Sequence, residues 1–561
     1  MSEEARYQDA LSFLIDGGKR IAAAAPRLAP HLAEISKDPD VERLLEGVAH
    51  IVSQLETMID RRSDILHQLV FDLIAPGYLS PIPAVSTVEM FATNARAVPA
   101  GTEIVSASVE GTACRFRTAY DVEASAITVA DVQLKTLRGH AELTVKFKDA
   151  SFRPAHPDRL RMLVTDELGV AATLHGWMCT RVVGVEWLDG RGTVIGPAPE
   201  ISVKPVGLGD SESLWAHQVH GHRFELLKEY FAYPQKLLYL DLHGAVSAAR
   251  RFGIDEGKFG LRFRLGVEGG RDLPVNVDSI RVRATPVVNA FPHAADPIRR
   301  DGNELLVRPT GPLGHYDVHR VSGVRGISPR GAREIPLLQE VDVDGDTPVP
   351  AIAQIYRKNG ATWLHVEESA APPVEEVIGI DIWATNGRLP RMLRPGDLSG
   401  PVAGVTIEHR FGVSPPYPPP AGEDVRRALV QHMTLGHRTL ASKEALSDVF
   451  GLYHFGAMSG GVLARELELL QGAIVELTAR PRVFLLEGDS VRGIETDVLI
   501  DESAFSSEGE SWLFGSVIDE LLAADAGLNM VSALTVRTQE TGRRWTWPRR
   551  LGSRTLGPAA K

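Results

Sequence analysis

Between Asp38 and Leu73 the apolar residues Val41, Leu44, Leu45, Val48, Ile51, Val52, Leu55, Met58, Ile59, Ile65, Leu66, Leu69, Val70 and Leu73 recur close to every 3.6 positions. That period lines side chains along one face of an α-helix. Asp38 stands where an N-cap accepts backbone N–H bonds, and Pro39 takes the first helical position, where its missing N–H does no harm. Pro76 and Gly77 stop the segment. At about 1.5 Å per residue the helix reaches roughly 50 Å, longer than a small domain is wide. One apolar stripe of that length is hard to bury within a short N-terminal region, so the helix is expected to pack in a bundle to which other chains contribute. Leu55, Ile59 and Leu66 on this stripe are candidate interface residues.

From LSPIPAVSTVEMFA onward the period shortens to two. Runs such as STVEMFA, ACRFRTAYDV, ITVADVQL, AELTVKFKD and DRLRMLVTD, separated by Gly, Pro and Asp, predict strands of β-sandwich type. A helical interruption is expected within SLWAHQVHGHRFELLKEYFAYPQKLLYLDL, before strands resume at FGLRFRLGV and SIRVRATPVV. SPPYPPPAGED favours an extended connection. Helices follow in VRRALVQHMTLGHRTLASKEALSDVFGLY and SWLFGSVIDELLAADAG, with strands in RVFLLEG and GIETDVLIDE between them. The fold class is therefore α+β, and 561 residues exceed what one hydrophobic core organises. The expected division is a helical segment at 1–80, a β-rich domain at 81–210 and a mixed domain with a helical insertion at 211–300. A second β-rich domain at 301–413, a proline-rich linker at 414–422 and a mixed α/β domain at 423–561 complete it.

A net charge of −12 opposes non-specific binding to nucleic acid or anionic membrane over most of the surface. No run of 18 apolar residues occurs, and MSEEARYQDA carries acidic residues where a signal peptide needs basic and apolar ones. A cytosolic protein without direct membrane insertion is expected. Cys114 and Cys179 are then expected as reduced thiols.

His217, His220 and His222 in HQVHGH have the close spacing with which imidazoles can converge on zinc, but no Cys or carboxylate of matching spacing stands beside them. A solvated or locally hydrogen-bonded loop fits better. DVDGDTP, Asp342 to Pro348, opens like a calcium loop and then fails: Thr347 stands at the turn-glycine position and Ala353 at that of the bidentate Glu. No phosphate-binding, metalloprotease or nucleophile-elbow motif occurs. The reading is of a binding or structural protein without cofactor, with a metal-dependent enzyme built on the histidine loop as the alternative.

Two stretches are candidates for protein contacts. As a strand, CRFRTAYDV places Cys114, Phe116, Thr118 and Tyr120 on one face and Arg115 and Arg117 on the other, where they meet carboxylates of this chain or a neighbour. From Arg537 the C-terminus carries six Arg and one Lys against one Glu. Arg543, Arg544, Trp545, Trp547, Arg549 and Arg550 concentrate charge and aromatic area there. That composition suits a protein interface, and single-stranded nucleic acid is its alternative partner.

Several segments together resemble the TssF family of type VI secretion baseplate subunits. They are DPDVERLLEG, LIAPGYLSPIPAVS, VPAGTEI with CRFRTAYDV, LLKEYFAYPQKLLYLDL, TPVVNAFPHAADPIRRDG, YDVHRVSGV, ATNGRLP, LVQHMTLGHRTLASKEAL and EGESWLFGSVIDELLAADAGLN. They stand in the family's order over nearly the whole chain. The family's Cys-Thr-Asn-Arg is replaced by Ala384, Thr385, Asn386 and Gly387, and its Ser-Phe-Thr by Met530, Val531 and Ser532. The resemblance implies a non-enzymatic scaffold in a baseplate wedge at the inner face of the cytoplasmic membrane. Its implied partners are a TssG-type subunit, a second copy of the chain, TssK-type and TssE-type subunits and the spike, with no nucleic acid.

Overall fold

The computed structural model describes residues 3–24, 39–151, 158–215, 224–253, 256–267, 273–338, 341, 350–358, 360–369, 373, 375–400, 402–437, 440–486 and 489–552. Two compact units emerge: residues 1–74 with 422–429, and residues 75–421 with 430–561. In the first, the helices Glu3–Ala24 and Pro39–Ile74 pack on each other. The long helix thus runs where its periodicity places it, for 36 residues. The expected cap, Asp38, lies outside the described residues.

The larger unit is α+β. Its first sheet orders the strands Thr406–Glu408, Val85–Phe91, Ala284–Val288, Thr112–Thr118 and Glu103–Val109, all antiparallel. Neighbours in this sheet come from stretches far apart in sequence. A second five-stranded sheet runs from Val194–Pro197 to Thr128–Leu137, with Trp187, Phe259 and Phe147 stacked in its core. Strands between Phe291 and Thr385 form two sheets, whose inward residues Phe291, Val318, Ile378, Ile380, Ile382, Leu364 and Val366 share one core, a β-sandwich. The proline-rich stretch is not a free connection, because Ser414 donates to the Val85 carbonyl and Tyr417 and Ile82 exchange backbone bonds.

The C-terminal part is built differently. Ile474–Leu486 and Asp489–Ile500 form a hairpin, and Asp489–Ile500 pairs in parallel with Val531–Thr538. Parallel neighbours need a crossover, supplied by the helix Glu508–Asp525. Ser507 caps that helix by accepting from the Glu510 N–H. The helix lies against a second, Leu168–Thr180, and a Cβ at Gly509 would run into the backbone of Ala172 and Thr173. Only glycine allows so close a crossing.

Gly509→Val therefore forces the two helices apart. Overpacking of this kind costs typically about 1–3 kcal/mol, so the variant should melt at lower temperature and unfold at lower urea. An unchanged denaturation midpoint would show that the crossing carries no stability.

Candidate functional site

In the N-terminal unit, Ala10, Ala49, Ser53, Gln68 and Phe71 are buried, whereas Phe13, Val48, Ile51 and Leu66 are exposed, Leu66 to 60%. At 100° per residue, positions 48, 51, 55, 59 and 66 share one narrow face of the Pro39–Ile74 helix. The side chains of Leu55 and Ile59 lie outside the described residues. The described members of the row, Val48, Ile51 and Leu66, are 38%, 57% and 60% exposed.

Arg115 and Arg117 sit on the Thr112–Thr118 strand, whose alternating burial matches the sequence pattern. Both are engaged within the chain. The Arg115 guanidinium pairs with Glu103, at 2.6 Å, and lies 4.5 Å from the Phe291 ring. Arg117 donates to the Gly101 carbonyl and lies over Trp383 from one side, while Arg320 also lies over that ring. Burial lowers the pKa of both Arg117 and Arg320. Beside them, two fully buried asparagines meet: Asn289 Nδ2 donates to Asn386 Oδ1 at 2.9 Å, and Asn386 N–H donates to Asn289 Oδ1 at 2.8 Å. Asn386 Oδ1 also accepts from Arg115 N–H, and Asn289 Nδ2 donates to the Arg115 carbonyl. The segments TPVVNAFPH and ATNGRLP thus meet CRFRT through one amide pair, joining the first sheet to the sandwich. Periodicity gave no hint of this pair, since it is blind to contacts between distant segments.

A second buried polar cluster occupies LLKEYFAYPQKLLYLDL. Lys236 pairs with Glu229, whose carboxylate also accepts from Ser213 Oγ and Leu214 N–H. Glu225 accepts from Trp215 Nε1 and Lys228, and Lys228 also donates to the Gly77 carbonyl. Next to it, Tyr78 donates to the Leu452 carbonyl and packs edge-on against His432, Tyr453 and Phe455.

The C-terminal arginines and tryptophans divide into inward and outward groups. Trp547 is buried against Gly515 and donates to Ser516 Oγ at 3.1 Å. Arg543 pairs with Glu508, and Arg550 with Asp519 and Glu520. Arg544 is exposed and Trp545 half-buried. Arg549 is exposed and lies 5.0 Å from the Phe484 ring. Trp547, Arg543 and Arg550 bond the last strands to the Glu508–Asp525 helix, although the Arg543 side chain keeps 44% of its surface exposed.

His217, His220 and His222 lie outside the described residues, as does Asp342–Pro348. Among the described residues no three His, Cys, Asp or Glu side chains converge. Cys114 and Cys179 are free thiols, and burial pushes the Cys114 thiol up to about 11. No helix among the described residues is long and apolar enough to cross a membrane.

The fold is that of a large β-rich α+β protein whose charged and aromatic groups chiefly hold its own parts together. The chain belongs to the TssF family of the type VI secretion system, whose family model matches residues 3–554. It is thus a type VI secretion baseplate subunit. It is 24% identical to the type VI secretion system component TssF1 of Pseudomonas aeruginosa, over 98% of each chain. Among solved structures, it is similar to a chain of the TssK-TssF-TssG baseplate subcomplex determined by cryo-electron microscopy. The TM-score there is 0.76 and the identity 25%, over 92% of this chain and 100% of that one. A chain in the baseplate complex from the type VI secretion system has the same fold, at a TM-score of 0.57 and 21% identity, over 98% of this chain and 99% of that one.

Burial pushes the Asp519 carboxyl up to about 7, although Arg550 Nε lies 2.8 Å away, because a carboxylate without exposed surface loses its hydration. The folded protein then holds a proton that the unfolded chain releases near pH 4, so this group's contribution to stability falls as pH rises from about 4 to about 7. Asp519→Asn should flatten that slope in urea denaturation measured across this range. An identical slope in the variant would assign the titration elsewhere.

Proposed function

We propose that this chain is a non-enzymatic scaffold of the baseplate wedge, assembled with a TssG-type subunit, a second copy of itself, and TssK-type and TssE-type subunits beneath the spike. The place of action is the cytoplasm, at the inner face of the cytoplasmic membrane. The observation that carries the reading is the exposed aliphatic row of the Pro39–Ile74 helix, in a chain of a family whose solved relative sits in a TssK-TssF-TssG subcomplex. A helix with an uncovered apolar stripe gains by packing into a bundle with other helices. Its neighbours in the wedge supply them.

The body carries a second docking surface at Arg544, Trp545 and Arg549, where aromatic area and positive charge stand together. Arg543, Trp547 and Arg550 support it from below. Arg115 and Arg117 hold their own module in place and present it to neighbours.

Replacing Leu55, Ile59 and Leu66 together with Asp puts charges into the helix seam, where burial without partners is costly. Co-purification with the TssG-type subunit should be lost while the melting temperature of the isolated chain stays within a few degrees. Full co-purification would remove the helix as the docking element.

Trp545→Ala should weaken binding to the TssG- and TssK-type pair by about 2 kcal/mol if this ring is a hot spot. Oligonucleotide titration at two salt concentrations is the control. Unchanged partner binding together with lost, salt-sensitive oligonucleotide binding would assign this surface to nucleic acid instead.

A further inference from the structure

The strand Ile474–Leu486 is the outermost of the C-terminal sheet, and among the described residues no strand pairs with its free edge. It is 13 residues long. Edges of that length are normally shortened, covered or charged, because a row of unpaired N–H and C=O groups recruits other strands. Here the guard stops halfway. Pro481 stands mid-strand opposite Ile494, and proline is tolerated in a paired strand only where its nitrogen faces away from the neighbour. The register is regular from Glu476 to Leu486. By the period-two alternation, Val483 and Leu485 also turn their N–H and C=O groups to the open side.

The side chains agree with an unfilled position. Positions 481, 483 and 485 share the face that carries the buried Val498 and Ile500 further along the hairpin. Yet Val483 is 63% and Leu485 71% exposed. They extend the core face beyond the part that is covered. On the opposite face Phe484 is buried, with the guanidinium groups of Arg482 and Arg549 over its ring. Arg482 is paired with Glu495, while Arg480 is exposed and has no ion-pair partner among the described residues.

We propose that this edge receives an added β-strand from another baseplate chain, one that alternates apolar side chains with a carboxylate. The backbone groups at 483 and 485 require an extended occupant, since only a strand pairs a row of alternating donors and acceptors. Val483 and Leu485 take its apolar residues on one face, and Arg480 takes its carboxylate on the other. Pro481 fixes the register by ending the usable edge.

The alternation supplies its own test. Val483→Pro removes an outward N–H and leaves the ladder to Asp489–Ile500 intact, as Pro481 already does, whereas Phe484→Pro removes a ladder bond and should lower the melting temperature. The photocrosslinker p-benzoylphenylalanine is placed at position 485 of the full chain, produced with all the baseplate subunits encoded alongside it. The expected result is an adduct to a baseplate chain through a peptide that alternates apolar and acidic residues, reduced at least tenfold by Val483→Pro with the melting temperature unchanged. The proposal is overturned by absence of an adduct, by an adduct that survives Val483→Pro, or by a Val483→Pro variant that melts as early as Phe484→Pro. It rests on the assembly role above, which co-purification scores separately. A chain that co-purifies with its TssG-type partner and gives no adduct refutes only the added strand.

Discussion

The larger unit depends on charges held away from water. Glu229, Lys236 and Lys228 have essentially no exposed surface, and Glu225 keeps only 8% of its own. Desolvating such groups costs several kcal/mol each and is offset only when geometry and hydrogen bonds are complete. Completion here draws on Ser213, Leu214, Trp215 and the Gly77 carbonyl. Segments around 77, 213 and 225–239 must therefore be in place together, and half an arrangement is worse than none. The result is a body that resists local loosening.

The amide pair Asn289–Asn386 extends the same logic to the junction between the first sheet and the sandwich. Asn289 donates twice and accepts once, and Asn386 Oδ1 accepts twice, all inside the protein, so a shifted arrangement would leave buried amide groups unpaired. Trp383 beneath Arg117 and Arg320 seals the flank. Opening this junction would leave those buried amide groups unpaired, whereas the exposed aliphatic residues lie elsewhere, on the Pro39–Ile74 helix and at Val483 and Leu485 of the C-terminal hairpin.

The sequence was most legible where periodicity is strong. The long helix appears within a residue of its expected limits, and the strand around Cys114 alternates as its pattern requires. The C-terminal order of helix, strands and helix is also as read. What stayed hidden was pairing between distant segments, because strand order and partnered asparagines leave no periodic trace. The C-terminal arginines and tryptophans show the same limit: composition marked Trp547 and Trp545 alike, and only packing separates the buried ring on Gly515 from the half-buried one. Pro481 carried a readable signal, a proline inside a strand, that points to the free edge.

The first sheet has a consequence for how the protein is made. Val85–Phe91 lies between Ala284–Val288 and Thr406–Glu408, so its first neighbouring strand is synthesised nearly two hundred residues later. At about 5–20 residues per second a ribosome needs roughly 10–40 s to supply it. Throughout that interval a strand rich in apolar side chains waits outside the tunnel with both edges open. Until its neighbours emerge, such a strand is open to pairing with the wrong chain, a hazard of synthesis that the stability of the finished fold does nothing to reduce.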